Sequence, residues 1–417
     1  AMTTETLTIA RLGSGGDGIA EAPGGPVYVP FTLPGETVAV ARVKNHGTVM
    51  SMSAASPERV APPCLHFGAD GKNGTCGGCT LQHASDALYH DFKRNLVVQA
   101  LKSKGLAPEV APLVIARPGE RRRVVFTARR TEKGVLLGFN QAGSHHIVDI
   151  EHCPISSDGV ISRLEAIRRV AGAIATSAEP FRVTVLETLS GLDLAFEGVK
   201  KVGDRERRAV TESVLALRGI ARVSSDGEIL IEPQKPVIDF GGVPVSPPAG
   251  GFTQATKPAE DAMVDLVLEA LGKAKRVADL FAGSGTFALR IARKAKVHAV
   301  EGEEKALKAL DNAARNTQGL KPVTVEKRDL FRRPLMASEL KVYDSVVFDP
   351  PRAGAEDQCK ELARSGVKTI VAVSCNPVSL ARDLAILTAA GYRIRLVTPI
   401  DQFLWSAHVE AVAVLEK

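Results

Sequence analysis

Six cysteines are spread over this 417-residue chain, and five of them stand where a thiol can do chemistry. Cys375 lies in Val373-Ser374-Cys375-Asn376-Pro377, at the end of an apolar run. A cysteine there is ordinarily a small buried hydrophobe. At the edge of a ligand crevice the same thiol becomes a nucleophile, and a helix starting just after it would favour the thiolate. Glu410 is the natural base, at the head of the final apolar run His408 to Leu415. A carboxylate is rarely placed in such a run for packing. In an antiparallel last strand, that position lies beside the ends of the parallel strands, next to Cys375.

Four further cysteines form a second constellation. Cys64 precedes Cys76-Gly77-Gly78-Cys79, and Cys153 follows in Glu151-His152-Cys153-Pro154. Four thiolates with such a paired pattern suit zinc or an iron–sulfur cluster, and spacing does not choose between them. The bland reading is four unrelated buried thiols. Cys359 reads as an ordinary helix residue.

A third group of residues can hold a small ligand. Asp279-Leu280-Phe281-Ala282-Gly283-Ser284-Gly285-Thr286 ends one strand and is expected to open a helix. Glycines there let the backbone turn sharply and approach a ligand. Glu301 ends the next strand, where a carboxylate can hold two ribose hydroxyls. The motif lacks the third glycine of a dinucleotide fold and the Gly-Lys-Ser or Gly-Lys-Thr of a phosphate loop. A ligand with an adenosine and no phosphates fits best. Asp349-Pro350-Pro351-Arg352 closes a fourth strand at the same edge.

These residues need three kinds of scaffold. Residues 5 to 56 read as short strands punctuated by glycine and proline: Leu7 to Arg11, Val27 to Phe31 and Glu36 to Val43. That pattern predicts a small OB-like β-barrel. The segment 61–250 carries the cysteine-rich loop, a helix from Asp86 to Lys104, and strands Val124 to Ala128 and Val135 to Phe139. It predicts a central α+β domain ending in the glycine- and proline-rich stretch Gly241 to Gly251. Beyond it, 251–417 alternates strand and helix regularly. Its strands are Val277 to Phe281, Val297 to Glu301, Val323 to Lys327, Ser345 to Asp349, Thr369 to Ser374, Arg393 to Pro399 and His408 to Leu415. This is the signature of an α/β, doubly wound, mainly parallel sheet.

A net charge of +6 favours an anionic partner without naming one. The arginine clusters at Arg121 to Arg123, Arg129-Arg130 and Arg205 to Arg208 either contact phosphates or form solvated faces. No apolar stretch approaches the ~20 residues that span a bilayer, and nothing resembles a signal peptide. A cytoplasmic location is expected, with no membrane partner and no obligate protein partner.

Taken in order, these motifs resemble the RNA uracil-C5 methyltransferase family, and within it the branch that modifies 23S ribosomal RNA. The resemblance covers nearly the whole chain. It rests on Gln254 in Gly251-Phe252-Thr253-Gln254, the turn from Asp279 to Phe287, Asp349-Pro350-Pro351-Arg352, Ser374-Cys375-Asn376-Pro377 and His408-Val409-Glu410. It implies a Rossmann-like methyltransferase domain that takes S-adenosylmethionine, preceded by a TRAM domain, an RNA-binding barrel, over residues 1–60. Cofactor contacts are implied for Gln254, Phe281, Thr286, Glu301, Asp329 and Asp349. Cys375 would be the nucleophile and Glu410 the proton acceptor. The branch carries a [4Fe-4S] cluster, which would fall to Cys64, Cys76, Cys79 and Cys153. Here eleven residues separate Cys64 from Cys76, a longer gap than the family uses.

Three other readings compete. A tRNA uracil-C5 methyltransferase would keep the chemistry and change the target, though its bacterial members usually lack both barrel and cysteine cluster. An RNA cytosine-C5 methyltransferase would place another cysteine in the fourth-strand motif, where this chain has Asp349-Pro350-Pro351-Arg352. A non-catalytic iron–sulfur RNA-binding or redox-sensing protein would have no use for Cys375 and Glu410.

Overall fold

The computed structural model describes residues 3–417. Six strands build the first sheet, with Thr3–Thr8 paired antiparallel to Thr37–Val43. The chain then breaks at Ile9 and Ala10, and Arg11–Leu12 pairs with Gly18–Ala22 at the other end of the sheet. The expected single strand from Leu7 to Arg11 is therefore two. Its two halves reach both ends of the sheet, which curls it into a barrel. Alternation of side chains puts Leu7, Val27, Val29, Val38 and Val40 inside.

The cysteine-bearing loop follows, and then helix Asp86–Ser103, capped by Ser85 accepting from the Leu88 N–H. Seven strands form the second sheet, which runs from Arg123–Thr131 to Glu228–Ile231 in sequence. Helices Leu164–Ile174 and Asp204–Ala216 share a core with it. Only two of these strands show in the sequence pattern. Gly191–Glu197 and Ile220–Ser225 are buried on both faces or nearly so, and so lose the alternation that marks a half-exposed strand, whereas Phe181–Thr188 keeps it.

The third sheet has seven strands in the spatial order Val323–Lys327, Lys296–Glu301, Arg276–Leu280, Ser345–Phe348, Thr369–Ser374, Glu410–Glu416, Arg393–Ile400. The first five run parallel, and Glu410–Glu416 is antiparallel to both its neighbours. The chain order reverses between Arg276–Leu280 and Ser345–Phe348, the switch point where such sheets open a crevice. Apolar side chains cover both faces. Met263, Val267 and Leu310 pack on one, and Leu362, Leu380 and Leu384 on the other. Helix Asp86–Ser103 joins that second face through Val97 and Leu101, although it belongs to the central segment in sequence. Among the described residues, no helix is long and apolar enough to cross a membrane.

Candidate active site

Strand Thr369–Ser374 is almost wholly buried and delivers Cys375 to the carboxyl edge of the sheet. The turn there is tightly fixed. The Asn376 N–H donates to Ser374 Oγ at 3.0 Å, and Asn376 Nδ2 donates to the Arg352 carbonyl at 3.0 Å. Asn376 also caps helix Pro377–Ala389 by accepting from the Val378 N–H at 3.2 Å. On the neighbouring strand Ala411 pairs with Ser374, so Glu410 sits opposite the turn that carries Cys375. The two residues meet because one strand ends where its antiparallel neighbour begins.

The resting thiol departs from the expectation of a stabilised thiolate. Burial, then the Glu410 and Asp349 carboxyls, push Cys375 up to about 11, against an opposing pull from Arg352. The helix start behind it does not outweigh burial and those acids. Glu410 itself is buried, and burial together with Asp349 raises it well above the carboxylate range. Burial raises Asp349 to about 7. Two acids and a thiol thus share one desolvated corner with protons to exchange.

Next to this corner lies a row of four acids. Asp329, Glu301, Asp279 and Asp349 stand at or just beyond the carboxyl ends of four adjacent strands, in that spatial order. Glu301 accepts from the Gly283 N–H at 2.9 Å and the Glu303 N–H at 2.8 Å, fixing the glycine turn. Phe281 holds a left-handed φ of 60°, a strain that non-glycine residues keep mainly at functional sites. Its ring lies 5.4 Å from that of Phe331. At Gly285, with φ at 104°, a Cβ would come within 2.8 Å of Leu289. The helix after this turn is a single turn, Ala288–Ile291, shorter than the motif suggests.

Asp279 is the orphan of the row. It is fully buried and neither carboxylate oxygen has a hydrogen-bond partner. Burial and the neighbouring Asp349 hold it well above the carboxylate range. Such a group asks for a cationic or hydrogen-bond-donating ligand. A nucleoside bearing hydroxyls, an amine and a positive charge, without phosphates, matches this row of acceptors. Gln254 joins it, buried, with Nε2 facing Asp349 Oδ2 at 3.5 Å, while Thr286 is half-buried on the glycine turn.

The other four cysteines converge. Cys64, Cys76, Cys79 and Cys153 line one small cavity, walled by Phe67, Phe139 and Ile155. Burial pushes Cys76 up to about 11 and raises Cys79 and Cys64, with the neighbouring thiols adding to each shift. Backbone N–H groups of His66 and Gly78 approach Cys64 Sγ and Cys76 Sγ at 3.4 Å. Gly77 lets the loop lie against Asn140, whose carbonyl accepts its N–H at 3.0 Å. Among the described residues, no three His, Cys, Asp or Glu side chains are gathered closely enough to hold a single metal ion.

The first arginine cluster is neither a solvated face nor a simple phosphate contact. Arg122 is buried, donating to Glu260 at 3.0 Å and to the Gln254 carbonyl at 3.1 Å. Arg290 donates to the other Glu260 oxygen at 3.2 Å and to the Thr286 carbonyl at 3.2 Å. The guanidinium of Arg121 lies 5.7 Å from the Phe403 ring, and that of Arg123 covers exposed Phe252 at 5.4 Å. Arg129, Arg205 and Arg208 are exposed, and so is Arg130, whose guanidinium donates to the Ala175 carbonyl at 3.0 Å. Sequence reasoning passed over Glu260, Gln402, Lys93 and Asp401. Lys93 and Asp401 form a fully buried ion pair below the loop that leads to Glu410. A lysine on a helix face and a polar pair after a strand carry no distinguishing signal in sequence.

Comparison with known proteins agrees with this architecture. The tRNA (Uracil-5-)-methyltransferase family profile matches residues 247–417. An uncharacterized RNA methyltransferase of Agrobacterium fabrum is 72% identical over the full length of both chains. The 23S rRNA (uracil(1939)-C(5))-methyltransferase RlmD of Chromohalobacter salexigens is 33% identical, covering 100% of this chain and 90% of its own. In structure, the tRNA (uracil-54, C5)-methyltransferase of Pyrococcus abyssi, solved with S-adenosyl-L-homocysteine, superposes with a TM-score of 0.75 over 99% of this chain and 100% of its own, at 24% identity. With a methyltransferase-type sheet, a thiol and a carboxylate meeting at its edge, and relatives of this identity over the whole length, the chain belongs to the family of S-adenosylmethionine-dependent RNA uracil-C5 methyltransferases.

Proposed function

We propose that this enzyme methylates carbon 5 of a uridine in 23S ribosomal RNA through a covalent bond from Cys375 to carbon 6 of the base. The observation that carries the reading is the pairing of strands Thr369–Ser374 and Glu410–Glu416, which seats Cys375 beside Glu410 next to the row of acids. Carbon 5 of uracil is a poor nucleophile until something adds to carbon 6. Cys375, as thiolate, adds there and pushes the electron pair into an enolate. Bound S-adenosylmethionine supplies an electrophilic methyl group for carbon 5. Glu410, as carboxylate, then takes the proton from carbon 5, and the returning electron pair expels the Cys375 thiolate. The base must leave its stack to reach this corner. Gln254, Phe281, Thr286, Glu301, Asp329 and Asp349 would hold the cofactor, whose positive charge answers the unpartnered Asp279.

The substrate assignment is supported by the 33% identity to RlmD across the whole chain. In this reading the N-terminal barrel over residues 1–60 is TRAM-like and binds RNA, the segment 61–250 is a central domain, and 251–417 is catalytic. Cys64, Cys76, Cys79 and Cys153 would hold a [4Fe-4S] cluster, supported by their position around one cavity. A cytoplasmic location goes with such a substrate.

The test is methyl transfer from labelled S-adenosylmethionine to 23S rRNA, with tRNA as the competing substrate and the modified base mapped. The native enzyme should form 5-methyluridine in 23S rRNA. Cys375→Ala should form neither product nor adduct, whereas Glu410→Gln should transfer the methyl and stall as a methylated protein–RNA adduct. Methyl transfer by Cys375→Ala would overturn the mechanism. Modification of tRNA alone would overturn the substrate.

A further inference from the structure

The buried amide of Gln402 lies between the proposed base and the cofactor cleft. Gln402 is 2% exposed, in the loop between strands Arg393–Ile400 and Glu410–Glu416. Its Oε1 accepts the Thr256 N–H at 3.2 Å, just ahead of helix Lys257–Leu271. A backbone N–H can only donate, so this contact fixes which end of the amide is oxygen. Nε2 is then the donor end, with Gln254 Oε1 at 2.9 Å and Glu410 Oε1 at 3.2 Å. Because Gln254 Oε1 accepts, Gln254 Nε2 is also fixed as a donor, and it faces Asp349 Oδ2. A chain of oriented amides thus runs from the backbone at one helix start to both buried carboxyls. Every hydrogen-bonding group of the Gln402 side chain is committed.

The geometry points to Gln402 as a positioning residue for proton removal: it holds one Glu410 oxygen and leaves the other for the carbon-5 proton, while it fixes the Gln254 amide beside the cofactor. The inference rests on Glu410 being the base. The amide has a second effect. Glu410 is raised by burial and by Asp349, with the Cys375 thiol also nearby, and the Gln402 donor opposes that rise. Without the donor, Glu410 holds its proton to higher pH and the acid limb of the rate profile moves up.

The experiment compares the native enzyme, Gln402→Leu, Glu410→Gln and the double variant, with Cys375→Ala as reference. Gln402→Leu should lower kcat by about 10- to 100-fold, the cost of a misplaced reacting group. Methylated protein–RNA adduct should accumulate, and the acid limb should rise. The double variant should break down its methylated adduct no more slowly than Glu410→Gln alone, because in proton removal Gln402 acts through that carboxyl. Native kcat, no adduct and an unmoved acid limb in Gln402→Leu would overturn the inference while leaving Glu410 as base if Glu410→Gln still stalls. Should no variant form an adduct, the covalent reading itself fails. If Gln402→Leu does not fold, Gln402→Glu keeps the acceptor for Thr256 and replaces the donor by an acid. Its acid limb should again rise, and a native profile would overturn the inference.

Discussion

Removing Glu260 should destabilise the enzyme and loosen its cofactor cleft together. The Glu260 side chain is 0% exposed, and its two oxygens engage Arg122, 11% exposed, and Arg290, 7% exposed. Glu260→Ala leaves two buried guanidinium groups without this counter-charge. Breaking a buried pair by removing one partner costs about 3–5 kcal/mol. Asp261 still reaches Arg290 at 3.0 Å, so the loss falls mainly on Arg122 and the lower figure of about 3 kcal/mol applies. For a domain of this size that is a fall in Tm of roughly 6–12 °C. Both arginines also hold backbone carbonyls of the cleft, at Gln254 and Thr286, so S-adenosylmethionine affinity should fall while RNA affinity holds. Differential scanning calorimetry and cofactor titration measure the two effects. Arg122→Met with Glu260→Met removes the charge pair whole and should recover much of the stability. A loss below about 0.5 kcal/mol in Glu260→Ala, the range of an ordinary surface substitution, would refute the reasoning.

Two further outcomes are expected. The Cys375 thiol should alkylate slowly with iodoacetamide at neutral pH and faster as pH rises toward 11, since the thiol is the favoured form below that value. Glu410→Gln removes a charge that opposes the thiolate, so the midpoint should move down; peptide mapping of labelled Cys375 reads it, and an upward or absent shift would refute the electrostatic picture. For the cysteine cavity, anaerobically purified protein should hold about four irons per chain, as a four-thiolate cluster requires, and Cys153→Ser should lose them. Colourless protein with one zinc and full activity would exclude the cluster.

Much of the catalytic sheet is legible in the sequence because helical stretches separate its strands regularly: the inner strands are nearly wholly buried apolar runs, while the edge strand Val323–Lys327 is only partly buried. Val323–Lys327 and Thr369–Ser374 have the bounds their apolar runs suggest. Fully buried strands need no alternation, and glycine, proline and aspartate mark their ends clearly. The middle sheet is harder to read. Its residues are equally apolar, but the segment lacks the regular strand–helix rhythm that separates the runs of a parallel sheet. The arginine cluster shows a different limit. Arg121, Arg122 and Arg123 are alike in sequence, yet in the chain leading into strand Arg123–Thr131 only Arg122 is buried and meets Glu260.

The sequence by itself determined which groups are available: a thiol at one strand end, a carboxylate at the head of the last strand, acids at the ends of four parallel strands and four cysteines in the central segment. The antiparallel insertion of the last strand beside Thr369–Ser374, which brings Cys375 to Glu410, is a property of the sheet's topology. Tertiary structure alone decided the protonation of those groups. The Cys375 thiol rises because folding buries it and then sets two acids from other strands beside it, and no linear spacing reports how closely they gather. The Gln402 amide is likewise ordinary in sequence. It takes on a role only when Gln254 and Thr256, from one stretch of chain, and Glu410, from another, close around its hydrogen-bonding groups. Hydrogen bonding is short-ranged and directional, so its partners are fixed by folding rather than by neighbourhood along the chain.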